Sequence, residues 1–194
     1  MLDAATAVGS VLAAFGLSGA AGLNAWIPLL VAGLLDRAGQ LELADGYDVI
    51  ATTPGLLVLG ALFALDFVGD KVPAVDHVLH AIGSVVHPAA GAVVFAGPTE
   101  LPTDIPSVVL FALGASVAGS LHATRATIRP ASTTLTAGAG NPLLSLGEDI
   151  TSAVLSVVAV FAPLLGALAL IVVAVLAVLW LRRIRRARRR RGLR

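Results

Sequence analysis

Cysteine, charged residues and aromatic residues are all scarce in this sequence. Among its 194 residues there is no cysteine, 13% are charged and 5% are aromatic. Without cysteine the chain forms no disulfide bond, offers no thiolate to a metal ion and has no cysteine nucleophile. Soluble domains carry roughly 25% charged residues, so a chain this poor in charge does not belong to that class.

Apolar residues make up most of the chain instead. The hydrophobic fraction is 57% and the mean hydropathy is +0.93. A helix needs about 20 apolar residues to cross a bilayer, and a helix satisfies its own backbone hydrogen bonds within lipid. We therefore predict an all-α, polytopic membrane protein with six or seven hydrophobic segments.

Basic residues are rare outside the carboxyl-terminal tail. Nine of the 13 basic residues lie in residues 182–194, and all 12 acidic residues precede that tail. We accordingly divide the chain into a transmembrane helical domain, 1–181, with a formal charge of −8, and an Arg-rich tail, 182–194, with +9. Such a tail is typical of a cytoplasmic segment that binds anionic lipid headgroups. It lacks the interleaved aromatic residues of a nucleic-acid surface, so we expect no nucleic-acid partner.

Glycine and proline interrupt several of the apolar segments. The stretch Ser18–Gly22 is expected to end the first segment. The second segment, ending near Asp36, is short for a span and is tilted, re-entrant or extended by the preceding glycine stretch. Polar residues close to prolines predict further broken helices, unless those prolines simply begin ordinary helices. The residues expected at these breaks are Asn24, Pro28, Pro73, His87, Pro88 and Pro142.

An offset of 54 residues relates the third and fourth segments to the fifth and sixth. It aligns Lys71 with Arg125 and Pro88 with Pro142. Either a helical hairpin with a broken polar connection is used two or three times, or the similarity arises by chance in a chain rich in alanine, glycine and leucine.

Charge also predicts the orientation in the membrane, because short cytoplasmic loops collect lysine and arginine. A cytoplasmic tail places Lys71, Arg125 and Arg129 at cytoplasmic helix ends, and the acidic connections 38–53 and 98–106 outside. With seven segments the amino terminus is external, and with six it is cytoplasmic. We expect a bacterial-type plasma (inner) membrane location.

Carboxylates within apolar segments identify a candidate site. Glu148 and Asp149 lie inside an apolar stretch that ends near Phe161. Ionisable residues at membrane depth are costly and usually face the protein interior or a water-filled cavity. We predict a polar, cytoplasm-facing site that binds an ion or substrate and is formed by Asp66, Asp70, Lys71, Arg125, Asn141, Glu148 and Asp149.

Three functions fit these residues. The first is proton- or cation-coupled transport or permeation, the second a structural network of carboxylates and bases that locks the helices together, and the third an enzyme acting on lipid. The sequence has no phosphate-binding loop and no nucleophile elbow, so we assign no catalytic residue and consider an enzyme less expected. Asp76, His77 and His80 have helical spacing, but they lack a second clustered pair of ligands, and we predict no metal site or cofactor. Homo-oligomerisation is left open.

Three blocks of sequence together carry a resemblance to a known family. They are Gly22-Leu23-Asn24-Ala25 with Pro28-Leu29-Leu30, Gly69-Asp70-Lys71-Val72-Pro73-Ala74-Val75-Asp76, and Ala139-Gly140-Asn141-Pro142 continuing to Glu148-Asp149. In this order they resemble the membrane family catalogued as domain of unknown function 4126. The resemblance implies a small integral membrane protein and no established activity, and the Arg-rich tail lies outside it.

Overall fold

The helices follow the apolar segments of the sequence closely. The computed structural model describes residues 4–69, 73–99, 101, 105–136 and 140–192. Within these ranges there is no β-strand, only an isolated bridge between Leu43 and Pro98, so the all-α prediction is confirmed. The helices are α1 (Ala4–Leu23), α2 (Trp26–Arg37), α3 (Thr53–Gly69), α4 (Pro73–Ala96), α5 (Ser107–Thr136), α6 (Asn141–Phe161) and α7 (Pro163–Gly192).

Among the described residues, four helical stretches are long and apolar enough to cross a membrane. They are Ala5–Leu23, Ser107–Thr127, Asn141–Phe161 and Pro163–Arg183. Large apolar side chains cover the outside of the helices; on α7, for example, Leu164 is 73% exposed. Continuous apolar exposure of this kind fits lipid tails rather than water. The chain is an α-helical membrane protein.

Helix α1 lies at the centre of the bundle. It packs against α4, α5, α6 and α7, and Leu17, Ser18 and Ala21 are fully buried. Small residues allow the close approach: a Cβ atom added to Gly22 would lie 2.7 Å from the carbonyl oxygen of Ala118 in α5. Close packing of small residues is a main source of helix association within lipid.

Helices α1 and α2 form a hairpin that turns at Asn24. Thr6, near the start of α1, and Asp36, near the end of α2, line the same cavity, so the two helices run in opposite directions. The Oδ1 atom of Asn24 accepts hydrogen bonds from the backbone N–H groups of Trp26 (2.9 Å) and Ile27 (3.1 Å). Asn24 therefore caps the first turn of α2.

The bundle has two ends, which we name from their contents. The loop end holds residues 38–52, where the backbone N–H of Ala44 donates to the carbonyl of Gly97 (2.8 Å). Helices α3 and α7 begin at the loop end, and α6 ends there. The opposite end, where α6 begins and α7 ends in the Arg-rich tail, is the tail end.

Two predicted interruptions are wrong. Helix α1 continues through Ser18–Gly22, because these small residues pack against neighbouring helices instead of forming a turn. Helix α4 continues through Pro88, although a break was expected at His87 and Pro88; the Pro88 ring faces Gly119 of α5, which leaves room for it. Helix α5 continues beyond Arg125 to Thr136.

Hydroxyl groups in the polar part of α5 bond to the backbone of the same helix. Thr124 Oγ1 donates to the carbonyl of Ser120 (2.8 Å), and Thr127 Oγ1 donates to that of Thr124 (2.7 Å). Each hydroxyl is thus satisfied by the preceding turn of the same helix.

The proposed repeat stays a prediction. The offset of 54 residues aligns Thr53 with Ser107, the first residues of α3 and α5. It also aligns Pro88, inside α4, with Pro142, in the first turn of α6. The two hairpins therefore begin in register but turn at different points.

Candidate intramembrane polar site

Asn24 joins two carboxylates that come from different helices. Its Nδ2 atom donates to Oδ1 of Asp149 in α6 (2.9 Å) and to Oδ2 of Asp66 in α3 (3.3 Å). The two carboxylate oxygens are consequently at most 6.2 Å apart, which is the sum of these two distances. Asn24 is 1% exposed and Asp149 is 7% exposed. Asn24 thus holds a close pair of carboxylates, of which Asp149 is buried and Asp66 is half-buried.

The orientation of the Asn24 amide follows from its partners. Backbone N–H groups only donate, so the atom that accepts from Trp26 and Ile27 must be the amide oxygen. The NH₂ group therefore faces the two carboxylates. This assignment rests on the hydrogen-bond network, which is how the oxygen and nitrogen of an amide are told apart.

Arg125 of α5 connects three other helices. Its Nε atom lies 2.7 Å from Oε2 of Glu148 in α6. Its Nη1 atom donates to the carbonyl of Leu23 at the end of α1 (2.8 Å) and lies 3.0 Å from Nε2 of His87 in α4. The guanidinium thus pairs with a carboxylate and satisfies a carbonyl at the negative end of the α1 dipole.

His87 is neutral in this arrangement. Its Nδ1 atom lies 2.9 Å from the carbonyl of Gly83, which only accepts, so Nδ1 carries the hydrogen. Its Nε2 atom faces the guanidinium of Arg125, which only donates, so Nε2 accepts. The ring of His122 lies against that of His87, with centroids 4.1 Å apart.

Serine side chains extend the polar site along α6 on both sides of Asp149. Ser145, Asp149, Ser152 and Ser156 are buried and recur every three or four residues, so they lie on one face of the helix. Ser152 Oγ donates to the carbonyl of Ala20 in α1 (2.9 Å), and Ser156 Oγ donates to that of Ser152 (2.7 Å). The polar face of α6 therefore faces protein rather than lipid.

Most of the site residues predicted from the sequence lie in or next to this network. Asn141 begins α6 seven residues before Glu148, and Pro142 occupies the first turn. Asp70 and Lys71 fall outside the described residues. Pro28 is buried within α2, and Pro73 begins α4. The predicted residues that the structure brings together are Asn24, Asp66, His87, Arg125, Glu148 and Asp149.

A separate cavity of about 540 Å³ lies at the loop end. Its lining mixes apolar residues with the acidic residues Asp36 and Glu42 and the hydroxyl of Ser10. The Oδ1 atom of Asp36 accepts from the backbone N–H of Leu43 (2.9 Å). None of the polar network around Asn24 lines this cavity. Within the described ranges, no three histidine or acidic side chains are grouped as metal ligands.

Comparison with known proteins identifies the family. No curated protein and no solved structure matches the chain. A family model described as a domain of unknown function (DUF4126) matches residues 11–183. The matched range contains every residue of the Asn24 network and stops at the start of the Arg-rich tail. The chain therefore belongs to the family of domain of unknown function 4126.

Proposed function

We propose that this protein moves protons or small cations across the membrane through the site at Asn24. One observation carries the proposal: Asp66 and Asp149 share one amide at the turn of a helical hairpin inside the bundle. Interrupted helices commonly form the binding sites of membrane transporters. Carboxylates at membrane depth commonly mark ion paths and proton relays.

The short distance between the two carboxylates explains why the pair can bind and release a proton or a cation. Two negative charges about 6 Å apart repel by about 3 kcal/mol at an effective dielectric constant of about 20. A proton shared by the pair, or a cation bound to it, relieves this repulsion. A site that alternates between loaded and empty forms is what a carrier requires.

The short length of α2 supports a site at membrane depth. Its 12 residues extend about 18 Å, whereas the hydrocarbon core is about 30 Å thick. On this proposal the α1–α2 hairpin enters from the loop end and turns at Asn24 within the membrane. Asp149, which contacts Asn24, lies eight residues after Asn141, the first residue of α6. The turn at Asn24 is therefore about 12 Å from the tail end, measured along α6.

The proposed orientation follows the charge of the two ends. The Arg-rich tail faces the cytoplasm and binds anionic lipid headgroups, and the acidic loop end faces outward. The amino terminus is then external, because α1 begins at the loop end, where Thr6 lines the cavity. A bacterial-type plasma membrane fits this arrangement.

The proposal is tested by ion flux in proteoliposomes, measured separately for H⁺, Na⁺ and K⁺, with wild type and Asp149→Asn. The new amide oxygen can still accept from Asn24 Nδ2, so we expect the variant to keep its melting temperature and lose flux. Asp45→Asn is the matched control, because Asp45 is an exposed carboxylate in residues 38–52. Absence of flux in wild type, or equal flux in Asp149→Asn, would contradict the proposal.

A structural role is the second candidate, and one observation favours it. Arg125 connects α5 with α1, α4 and α6 through Leu23, His87 and Glu148. A network that only locks helices predicts no wild-type flux for any of the three ions, together with a clearly lowered melting temperature in Asp149→Asn. The same preparations therefore separate the two functions.

A further inference from the structure

We infer that the ion carried by the Asn24 site is a proton and not a metal cation. The inference rests on the proposed function and adds the identity of the ion. The identity of the ion follows from the atoms that contact the two carboxylates. Asn24 presents N–H groups, not an oxygen, to Asp66 and Asp149.

A metal cation at this position would meet the wrong atoms. Hard cations are bound by oxygen ligands such as carboxylates, carbonyls and water. Between Asp66 and Asp149, however, the Nδ2 atom of Asn24 contacts both carboxylates with its hydrogens. Turning the amide oxygen towards them would remove it from the N–H groups of Trp26 and Ile27, which it caps. Because the amide oxygen of Asn24 caps α2, its NH₂ group faces the carboxylates. A hydrogen-bond donor therefore lies where a metal cation would need an oxygen ligand.

Two backbone carbonyls next to the hairpin turn are also engaged by donors. Unwound carbonyls and the ends of half-helices often coordinate Na⁺ in transporters. Here the carbonyl of Leu23 accepts from Arg125. The carbonyl of Ala20 accepts from the hydroxyl of Ser152 and from the backbone N–H of Asn24. Both carbonyls therefore face hydrogen-bond donors, and one of these donors is a cation.

A proton needs none of these ligands. It binds by forming one O–H bond on a carboxylate oxygen of the pair, and it leaves when that bond breaks and the proton passes to water or another base. No electron is transferred, and the charge of the pair changes by one. Next to the pair in the chain, Glu148 precedes Asp149 on α6 and pairs with Arg125 of α5. Arg125 also contacts His87 of α4, whose ring lies against that of His122.

Wild-type protein provides the first test, in proteoliposomes that contain a pH-sensitive dye. We expect proton flux that persists when Na⁺ and K⁺ are replaced by the bulky cation choline, and no uptake of radioactive Na⁺ above that of empty liposomes. Na⁺ or K⁺ flux without proton flux would overturn this inference and leave the proposed function standing. Absence of flux for all three ions would overturn the proposed function itself.

Asn24→Asp provides a second test, with a readout independent of transport. The substitution replaces the NH₂ group by a third carboxylate oxygen and keeps an acceptor for the cap of α2, where asparagine and aspartate serve equally well. We expect the melting temperature of wild type to be the same in NaCl, KCl and choline chloride at equal ionic strength. Asn24→Asp, in contrast, is expected to melt at a higher temperature when Ca²⁺ is added, and this rise should be absent in the wild type. Stabilisation of the wild type by Na⁺, K⁺ or Ca²⁺ would contradict the inference, whether or not the variant folds.

Discussion

Arg125 connects α5 with three other helices through its contacts in the polar network. Replacing it by methionine removes the guanidinium from Glu148, from the carbonyl of Leu23 and from His87. Glu148 then becomes a buried carboxylate that has lost its cation, which typically costs about 3–5 kcal/mol. We expect Arg125→Met to lower the free energy of unfolding by about that amount, measured as a large decrease in melting temperature in detergent.

The double variant Arg125→Met/Glu148→Met is the control for this prediction. Removing both charges also removes the Glu148 carboxylate that the single substitution deprives of its cation, so the double variant should be more stable than Arg125→Met alone. Additive effects of the two single substitutions would show that the ion pair between Nε and Oε2 is not coupled in solution.

Individual charged residues were predictable from the sequence because charge is conspicuous in an apolar segment. Asp66, Arg125, Glu148 and Asp149 were identified in this way. Asn24 was expected only to help break a helix, because no local signal reveals that its amide meets a carboxylate 125 positions later in the chain. The serines of α6 were missed because a serine in a helix usually bonds to its own backbone; only their regular spacing from Asp149 gave an indication.

Of the described helices, α4 and α5 make the most extensive contact with each other. Glycine residues allow their backbones to approach closely. A Cβ atom added to Gly114 would overlap the carbonyl oxygen of Gly91 and the Cβ atom of Phe95. The backbones would have to separate, and overpacking of this kind costs about 1–3 kcal/mol. We therefore expect Gly114→Ala to lower the melting temperature in detergent.

Gly60→Ala is the matched control, because Gly60 is also within a helix and a Cβ atom there would meet nothing within 4 Å. Alanine has the higher helix propensity, so the melting temperature of this variant should stay the same or rise slightly. Equal destabilisation by both substitutions would show that the contact between Gly91 and Gly114 does not determine stability.

The ends of the helices were the least predictable feature of the elements. Ser18–Gly22 has the composition of a turn in a soluble protein, yet in this bundle its small side chains are packing residues of α1. Pro88 was expected to break a helix, but α4 accommodates it beside Gly119. In both cases the deciding contact is with another helix, so the local sequence does not contain it.

At the scale of the whole molecule, the absence of cysteine allows a direct test of orientation. Single cysteines introduced as Asp45→Cys, in the loop end, and Arg186→Cys, in the tail, lie at exposed positions. The positive-inside rule places the tail in the cytoplasm. A membrane-impermeant maleimide added to intact cells should therefore label Asp45→Cys, and it should label Arg186→Cys only after permeabilisation. The reverse pattern would invert the proposed topology.

The membrane class of the molecule was predictable from composition alone, and its family from three blocks of sequence. The number of complete spans was not, because α2 has an apolar sequence but only 12 residues. Whether such a segment crosses, tilts or returns depends on the contacts at its end. Here those contacts are the hydrogen bonds of Asn24 to Asp66 and Asp149.

The central claim, that the pair formed by Asp66 and Asp149 takes up and releases a proton, is tested most directly by infrared difference spectroscopy between acidic and alkaline samples. We predict that wild type and Asp45→Asn both lose a carboxylic-acid C=O band from a buried environment as the pH is raised, and that this band is missing in Asp149→Asn. Identical difference spectra for wild type and Asp149→Asn, at equal melting temperatures, would contradict the account.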